Sequence, residues 1–147
     1  MAETTLRPLT LADRPAWADL RHALWPHATA LELRAELAQM LEGDFIGVGC
    51  FEAARLVGFA EVSVRPYGDG CDTAPVPWLE GIYVLPAYRR RGIGRRLLEH
   101  IEDWARGRGF TELGSDADLD NLTSRLSHAL WGFTETGRAV RFRKVLK

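Results

Sequence analysis

The stretch LEGIYVLPAYRRRGIGRRLL at residues 79–98 constrains the fold of this chain more than any other. Its first six residues are apolar except at Glu80, as expected for a strand buried on both faces. Pro86 ends that strand, because proline cannot donate to a sheet ladder. After Gly94, apolar residues recur on one helical face, at Leu97, Leu98, Ile101, Trp104 and Ala105. The stretch therefore predicts a strand, a sharp connection and a helix.

An anion-binding site is the chemical consequence of this junction. Gly92 and Gly94 have no Cβ, so a ligand can lie against the backbone. The first N–H groups of a helix have no intrahelical partner, and the helix dipole makes that end partly positive. With the charge of Arg89, Arg90 and Arg91, the natural ligand is a phosphate or pyrophosphate. The alternative is an ordinary glycine at a helix start beside a solvated arginine run.

The loop lacks two familiar phosphate-binding patterns and resembles a third. No Gly-Lys-Ser/Thr follows it, and GxGxxG is absent. Arg89, Gly92 and Gly94 fill the pattern Q/R-x-x-G-x-G/A, which resembles the pyrophosphate loop of the GNAT N-acetyltransferases. The resemblance implies that acetyl-coenzyme A (acetyl-CoA) binds to Ile82, Tyr83, Val84, Arg89, Arg90, Arg91, Gly92, Ile93, Gly94, Arg95 and Arg96, and to Asn121, Ser124 and His128 near the last helix.

Composition is that of one ordinary domain with no strong charge bias. The chain has 147 residues, 46% of them hydrophobic and 27% charged, and a net charge of −1. We expect one domain over residues 1–147 and no nucleic-acid partner. The absence of a long apolar run and of a signal-peptide pattern predicts a cytoplasmic protein with no membrane partner. Cys50 and Cys71 are expected to be reduced thiols, and no metal is expected.

The rest of the chain alternates strand and helix patterns. The predicted order is β-α-α-β-β-β-α-β-α-β-β, a mixed sheet with helices on both faces and therefore an α+β fold. This is also the order of elements in the GNAT family. Outside the central stretch, we expect strands at 3–8, 45–52, 56–65, 110–115, 134–135 and 139–145, and helices after the capping-box pair Thr10 and Asp13, over 30–41, and after Asp120 or Asn121. The last helix is expected to bury Leu122, Leu126, Ala129 and Leu130.

A further set of motifs runs from about residue 67 to the end of the chain, and it comprises Gly70-Cys71-Asp72, Pro75-Val76, Leu79-Glu80-Gly81-Ile82, Ser115-Asp116, Asn121, Ser124, His128, Gly132-Phe133, Glu135-Thr136, Arg138, Val140, Phe142, Arg143 and Lys144. Together these motifs resemble one branch of that family, the aminoglycoside 6'-N-acetyltransferases. The resemblance implies direct acetyl transfer from acetyl-CoA to the 6'-amine of an aminoglycoside, hence antibiotic resistance. It also implies a homodimer, in which the terminal strands would not expose a β-edge.

Glu80 is the leading candidate for proton acceptance. Acetyl transfer needs a free amine, and a carboxylate beside the thioester can accept the ammonium proton, directly or through water. Glu80 lies in an otherwise apolar strand, where an unpaired carboxylate is costly to bury. The alternative interpretation is a structural ion pair with an arginine.

Other candidate acceptor-site residues are acidic or aromatic. Asp116 ends the strand after the central helix, at the edge where ligands of parallel sheets bind, and it is the second candidate catalytic residue. Aminoglycosides carry several ammonium groups, so an acidic pocket would be complementary. The substrate-binding candidates are Trp25, Tyr67, Asp72, Glu80, Asp116, Asp118 and Glu135, with solvated loop acids, a capping role for Asp120 and a core role for Trp25 as the alternatives.

The leaving thiolate has no assigned proton donor. His128 stands where many GNAT members carry a tyrosine that protonates the thiolate, but a structural histidine fits equally well. Two other functions stay open at this point. The same chemistry could act on a polyamine or a protein terminus, and a non-catalytic domain could sense acyl-CoA.

Overall fold

The computed structural model describes residues 2–147. Residues up to Ser115 form one compact unit, and residues from Asp116 onward form a second. The strands are β1 (Thr4–Pro8), β2 (Phe45–Glu52), β3 (Arg55–Arg65), β4 (Val76–Val84) and β5 (Gly114–Ser115). The helices are α1 (Arg14–Leu24), α2 (Ala30–Met40), α3 (Ile93–Gly107) and α4 (Leu122–Leu130), with short 3-10 turns at Leu11–Asp13 and Pro86–Tyr88.

The five strands form one sheet in the first unit, in the order β1-β2-β3-β4-β5. The first four strands are antiparallel, and β5 pairs with β4 in parallel. That last pairing is short, because it joins only Trp78 to Gly114 and Leu79 to Ser115. The mixed sheet confirms the α+β class predicted from the sequence.

Helices cover both faces of this sheet, as predicted. On one face, Trp17 and Leu20 of α1 and Leu37 of α2 pack with Phe45 and Phe59 of the strands. The opposite face receives α3, where a Cβ on Gly58 would lie 3.5 Å from Ile93. Since Gly58 and Phe59 are neighbours on β3, they point to opposite faces of the sheet. The buried face of α3 comprises Ile93, Leu97, Leu98, Ile101 and Ala105.

The capping and stop residues predicted from the sequence lie at the helix ends. Thr10 and Asp13 form the predicted capping box, and the helical chain that follows ends before Pro26. At the end of α3, Gly109 adopts a φ of +84° and the Phe110 N–H donates to the Ala105 carbonyl at 3.0 Å. A left-handed glycine that closes a helix in this way is the C-terminal stop that the sequence predicts.

Two strand boundaries differ from the prediction. The strand predicted from residue 79 begins at Val76, because burial of Val76 and Trp78 outweighs the effect of Pro77 near the strand start. The strand predicted over 110–115 is reduced to Gly114–Ser115. The ring of Phe110 packs against Trp104 of α3, with centroids 6.2 Å apart, so the chain joins the sheet only later.

The second unit contradicts three predictions. Leu122, Leu126, Ala129 and Leu130 were expected to be buried, but all four residues are exposed, the three leucines by 62–72%, because the helix has no apolar layer within its own unit. The strands expected at 134–135 and 139–145 are not formed, since no described segment pairs with these residues. The residue that caps α4 is Asn121, not Asp120.

Candidate active site

The connection between β4 and α3 forms a concave run of backbone amides. Gly92 caps α3 with a φ of +75°, and Arg90 adopts a φ of +63°. A left-handed arginine is strained, and such strain concentrates at functional sites. The first bond within α3 runs from the Arg96 N–H to the Gly92 carbonyl, so the N–H groups of Ile93 and Gly94 point out of the helix end. Apart from the adjoining residues and the backbone of α3 itself, no described atom lies within 4 Å of the position that a Gly92 Cβ would take. The cradle fits a pyrophosphate.

The arginine side chains around this loop mostly support it. Arg89 donates to the Val84 carbonyl at 2.8 Å, and the Arg91 guanidinium lies 5.0 Å from the Tyr88 ring centroid. Arg96 donates to the Thr4 hydroxyl and carbonyl, at 2.6 and 3.1 Å. A cleft beside them is lined by Ala2, Glu3, Thr4, Arg91, Ile93 and Arg96. The arginines thus mostly support the loop and add positive charge, which leaves the backbone amides as the candidate anion site.

The strand β4 leaves one edge open next to the loop. In residues 2–147, no strand pairs with Ile82–Val84 on the side away from β3. Glu61 of β3 pairs with Gly81, and the next residue of β3, Val62, pairs with Leu79. Glu80 therefore has no backbone pairing partner on β3. Glu80 is therefore the extra residue of a β-bulge, a device that redirects side chains near active sites.

The bulge places Glu80 against side chains of β3. Its carboxylate accepts hydrogen bonds from the Ser63 hydroxyl and from Arg65, whose Nε and Nη2 lie at 2.9 and 2.6 Å. This is the structural ion pair that the sequence left open as an alternative. The Glu80 side chain nevertheless remains 23% exposed, so the pair stays accessible to a ligand. Ser63 and Arg65 had not been predicted.

Trp25 lies on the same face of the sheet. A Cβ on Gly81 would be 2.7 Å from Cη2 of Trp25, so the ring packs directly over Gly81, next to Glu80 in the strand. Gly81 pairs with Glu61, and Ser63 lies two residues further along β3. Residues that alternate along a strand share a face, so Glu61 and Ser63 lie on the side that carries Trp25. The bulge brings Glu80 to the same side, where it accepts from the Ser63 hydroxyl. The structure thus brings together two of the predicted acceptor residues, Trp25 and Glu80.

A buried polar cluster lies beneath these residues, and sequence reasoning missed it. Glu61 is fully buried and accepts from Trp17 Nε1 at 3.1 Å and from Nε and Nη2 of Arg21 at 3.3 and 3.1 Å. Burial raises the pKa of Glu61 to about 7, against the opposing effects of Arg21 and Trp17. The charge of Glu80 adds a smaller increase to this pKa. The available signal was a carboxylate in an apolar strand, the same signal that singled out Glu80.

The loop between β3 and β4 is fixed at its far end by Glu112. The Glu112 carboxylate accepts from the Asp72 and Thr73 N–H groups, at 2.9 and 2.6 Å, and from the Thr73 hydroxyl. The candidates Tyr67 and Asp72 both lie on this loop, and both are exposed. The pKa of the Cys71 thiol is raised by burial and by the carboxylates of Glu112 and Asp72. A raised thiol pKa disfavours the nucleophilic thiolate.

The predicted acetyl-CoA contacts in the second unit have local partners. The Asn121 side chain accepts from the Ser124 N–H at 3.1 Å, so it caps α4. Nδ1 of His128 lies 2.7 Å from the Ser124 carbonyl, and its ring centroid is 5.0 Å from that of Phe133. Because a carbonyl can only accept, Nδ1 carries the proton. These contacts favour the structural interpretation of His128 that the sequence also allowed.

The predicted acids of the second unit differ in their pairing. Asp116 follows β5 and is exposed. Asp118 pairs with Arg141 at 3.7 Å, and Glu135 pairs with Arg138 at 2.5 Å. The hydrogen bond from Arg138 lowers the pKa of Glu135. A polycation would compete with these arginines for Asp118 and Glu135.

Residues 2–147, which the structure describes, contain neither a candidate metal-binding cluster nor a helix suited to span a membrane. No cluster of three or more His, Cys, Asp or Glu side chains is arranged to hold a metal ion. None of the described helices has the length and apolar character needed to cross a membrane.

Comparisons with known proteins show the family of this chain. Residues 13–133 match the model of the acetyltransferase (GNAT) family. An aminoglycoside N(6')-acetyltransferase type 1 from Klebsiella aerogenes is 40% identical over 146 residues, which cover 96% of each chain. One from Serratia marcescens is 43% identical over 136 residues, which cover 89% of this chain and 92% of the relative.

Solved structures of aminoglycoside 6'-N-acetyltransferases are also similar to this chain. AAC(6')-Iy in complex with the bisubstrate analogue CoA-S-monomethyl-acetylneamine superposes with a TM-score of 0.91 at 32% identity, covering 99% of this chain and all of the other. The aminoglycoside 6'-N-acetyltransferase AAC(6')-Ih from Acinetobacter baumannii superposes with a TM-score of 0.89 at 35% identity and the same coverage. These matches confirm the resemblance drawn from the Arg89–Gly94 loop and the later motifs, and the chain belongs to the acetyltransferase (GNAT) family.

Proposed function

We propose that this protein transfers the acetyl group of acetyl-CoA to the 6'-amine of an aminoglycoside, and so confers resistance to the drug. The observation that carries the proposal is the junction of the Gly92 amide cradle with the open edge of β4, beside a bulge that presents Glu80. The relatives named above support the substrate class. We further propose that the whole chain acts as one catalytic domain in the cytoplasm.

The coenzyme binds to the cradle and the strand edge in this proposal. The N–H groups at the start of α3 hold the pyrophosphate, and the unpaired edge at Ile82–Val84 holds the pantetheine amides as a strand would. Arg90, Arg91, Arg95 and Arg96 add positive charge. Asn121, Ser124 and His128 contact the arm of the coenzyme beside their structural roles.

The acceptor binds on the face that carries Glu80 and Trp25. Trp25 offers a flat surface to a sugar ring, and ammonium groups displace Arg65 from Glu80. The remaining acids in the proposal are Asp72, Asp116, Asp118 and Glu135, with Tyr67 as a second flat surface. Exposed ion pairs are each worth about 0–1 kcal/mol, so several must act together.

Transfer is direct. The amine nitrogen attacks the thioester carbonyl, the C–N bond forms, the C–S bond breaks, and the ammonium proton passes to Glu80 or to a water that Glu80 holds. Direct transfer is supported by the cysteines, because Cys50 is buried and the thiol pKa of Cys71 is raised. Asp116 is proposed to orient the amine. A thiol is weakly basic, so its thiolate can leave without a dedicated acid.

A thiol-release assay across an amine panel tests this function. We expect coenzyme A release with a 6'-amino aminoglycoside and none with the matched 6'-hydroxyl drug, because a hydroxyl is a far poorer nucleophile at neutral pH. The acceptor KM should rise with salt, since ions at about 0.15 M shorten the Debye length to roughly 8 Å. Turnover of polyamines or peptides alone would refute the aminoglycoside assignment. Coenzyme binding with no thiol release from any amine would instead favour a sensor.

We also propose a homodimer. Leu122, Leu126 and Leu130 form an exposed stripe on α4, and Val140 and Phe142 are 79% and 92% exposed in the segment after it. Apolar surface of this kind usually marks an interaction site, and a second copy would cover it. Sedimentation should give the dimer mass at micromolar protein. A monomer throughout would overturn this assignment.

A further inference from the structure

Arg21 is a buried cation on α1, and its contacts support an inference about the proposed acceptor site. This inference rests on the proposed function. We propose that Arg21 is a positioning residue for acceptor binding. Held by Glu61, its guanidinium keeps the Trp25 ring against Gly81, beside Glu80. Neither Arg21 nor Glu61 touches the acceptor in this proposal, so the effect on binding passes through Trp25.

Arg21 joins three elements of the first unit. Its side chain is buried, and it donates to Glu61 on β3, to the Leu33 carbonyl of α2 at 3.2 Å, and to Glu36 at 3.3 Å. An arginine presents several donors in one rigid plane, which fixes its orientation when they are all engaged. The guanidinium plane is therefore held from β3 and α2 at once.

Stability alone does not account for this arrangement. Removing two charges from water is costly, and an apolar pair of similar size is often as stable. The cost at Glu61 is evident, because burial outweighs the effects of Arg21 and Trp17 and leaves its pKa raised. A buried ion pair of this kind is better explained by the orientation that it imposes on its neighbours.

The neighbour so oriented is Trp25. The Arg21 guanidinium carbon lies 5.0 Å from the Trp25 ring centroid, within the range of a cation–π contact. Another part of the same ring lies over Gly81, where a side chain of any other residue would collide with it. Trp25 is the C-cap residue of α1, where its N–H donates to the Arg21 carbonyl at 2.7 Å, so the helix end fixes its backbone and the contacts with Arg21 and Gly81 fix its ring.

The consequence for the acceptor follows from geometry. Trp25 is only partly buried, and the ring lies on the face of the sheet where Ser63 and Arg65 hold Glu80. A ring fixed by Arg21 presents a surface of constant orientation beside the carboxylate. A ring free to rotate would lose part of its stacking energy with a sugar, and the acceptor KM would rise.

The test is a double-mutant cycle on acceptor KM with Arg21→Lys and Trp25→Phe. Lysine keeps the positive charge beside Glu61 but loses the planar group. We expect Arg21→Lys to raise the acceptor KM roughly three- to thirtyfold, or about 0.7–2 kcal/mol, as for loss of a cation–π contact. The kcat and the acetyl-CoA dissociation constant should stay within about twofold of wild type. The cycle should be non-additive, so that the double variant resembles Trp25→Phe alone.

The matched control is Arg7→Lys. Arg7 makes the same two kinds of contact as Arg21, because it forms an ion pair with Asp13 and its guanidinium carbon lies 4.0 Å from the Phe51 ring centroid. This variant should leave the acceptor KM unchanged. Glu61→Gln is the second test variant, and it replaces Arg21→Lys in the cycle if the lysine variant does not fold.

The outcomes separate the inference from the proposed function. Additive effects on KM, an unchanged KM in Arg21→Lys, or an equal loss of acetyl-CoA affinity would overturn the positioning role. The cycle uses whichever amine the wild-type protein acetylates in the panel. Failure with all 6'-amino sugars would therefore refute the aminoglycoside assignment while the Arg21 test still proceeds, and no turnover of any amine would refute both.

Discussion

The anion cradle and the proposed acceptor face, which both adjoin β4, are formed by different parts of the chain: the first by backbone, the second by side chains. The anion cradle is made of consecutive backbone, from Arg90 through the first turn of α3, and it depends on dihedral angles that glycine favours. The proposed acceptor face is made of side chains from α1 and its C-cap, β3 and β4, which are joined by an ion-pair network. A backbone site tolerates changes in the side chains around it. A side-chain site depends on each charged partner and on the packing that buries it.

Removing the charge of Glu80 tests the acceptor face most severely. Glu80→Gln keeps the size of the side chain but cannot accept the ammonium proton, so turnover should fall by roughly 10²-fold or more. Steady-state kinetics and acetyl-CoA titration measure this, and coenzyme affinity should stay near wild type. Asp116→Asn should depress turnover less, because it is assigned to orienting the amine. Wild-type turnover in both variants would make these carboxylates structural.

The buried network of Glu61, Arg21 and Trp17 should make the free energy of unfolding depend on pH. Burial raises the pKa of Glu61 from its ordinary value of 4.5 to about 7, so the folded state keeps a proton that the unfolded state releases between those values. The free energy of unfolding should therefore fall as pH rises from about 4.5 to 7, by about 3 kcal/mol at about 1.4 kcal/mol per pH unit. Denaturant titrations at several pH values measure this slope. In Glu61→Gln that part of the slope should vanish, and a slope equal to that of wild type would contradict the assignment.

The cradle can be broken without changing a charge. Gly92→Val places a branched side chain in a left-handed position and in the space proposed for the pyrophosphate. We expect acetyl-CoA affinity to fall roughly 10- to 50-fold, or about 1.4–2.3 kcal/mol. Calorimetric titration measures this, and Gly109→Val is the matched control, because it strains a left-handed glycine at the other end of α3. Equal coenzyme affinity in the two variants would remove the cradle from the binding site.

The smallest expected effect is at Asn121, where a cap and a coenzyme contact are both assigned. Asn121→Ala should lower the free energy of unfolding by about 1 kcal/mol through loss of the cap. Asn121→Ser keeps a capping oxygen, so it should restore stability. If the serine variant also restores acetyl-CoA affinity, the residue acts through the helix start. If its affinity stays low, Asn121 contacts the coenzyme directly.

The sequence by itself determined the features that depend on local chemistry. The strand, loop and helix of residues 79–98, the Thr10–Asp13 capping box and the stop at Gly109 all follow from neighbours in the chain. The family likewise follows from the Arg89–Gly94 pattern, because a backbone anion site needs its residues in a fixed order.

Tertiary structure decided everything that depends on partners far apart in the chain. Arg21 meets Glu61, and Glu80 meets Arg65 across a bulge, at separations that no local pattern encodes. The same reason explains the failures in the second unit. Periodicity identified the apolar face of α4 and the alternation after it, but burial and strand formation also require a partner surface. Leu122 and Phe142 are exposed, and the segment after α4 forms no strand within the described residues.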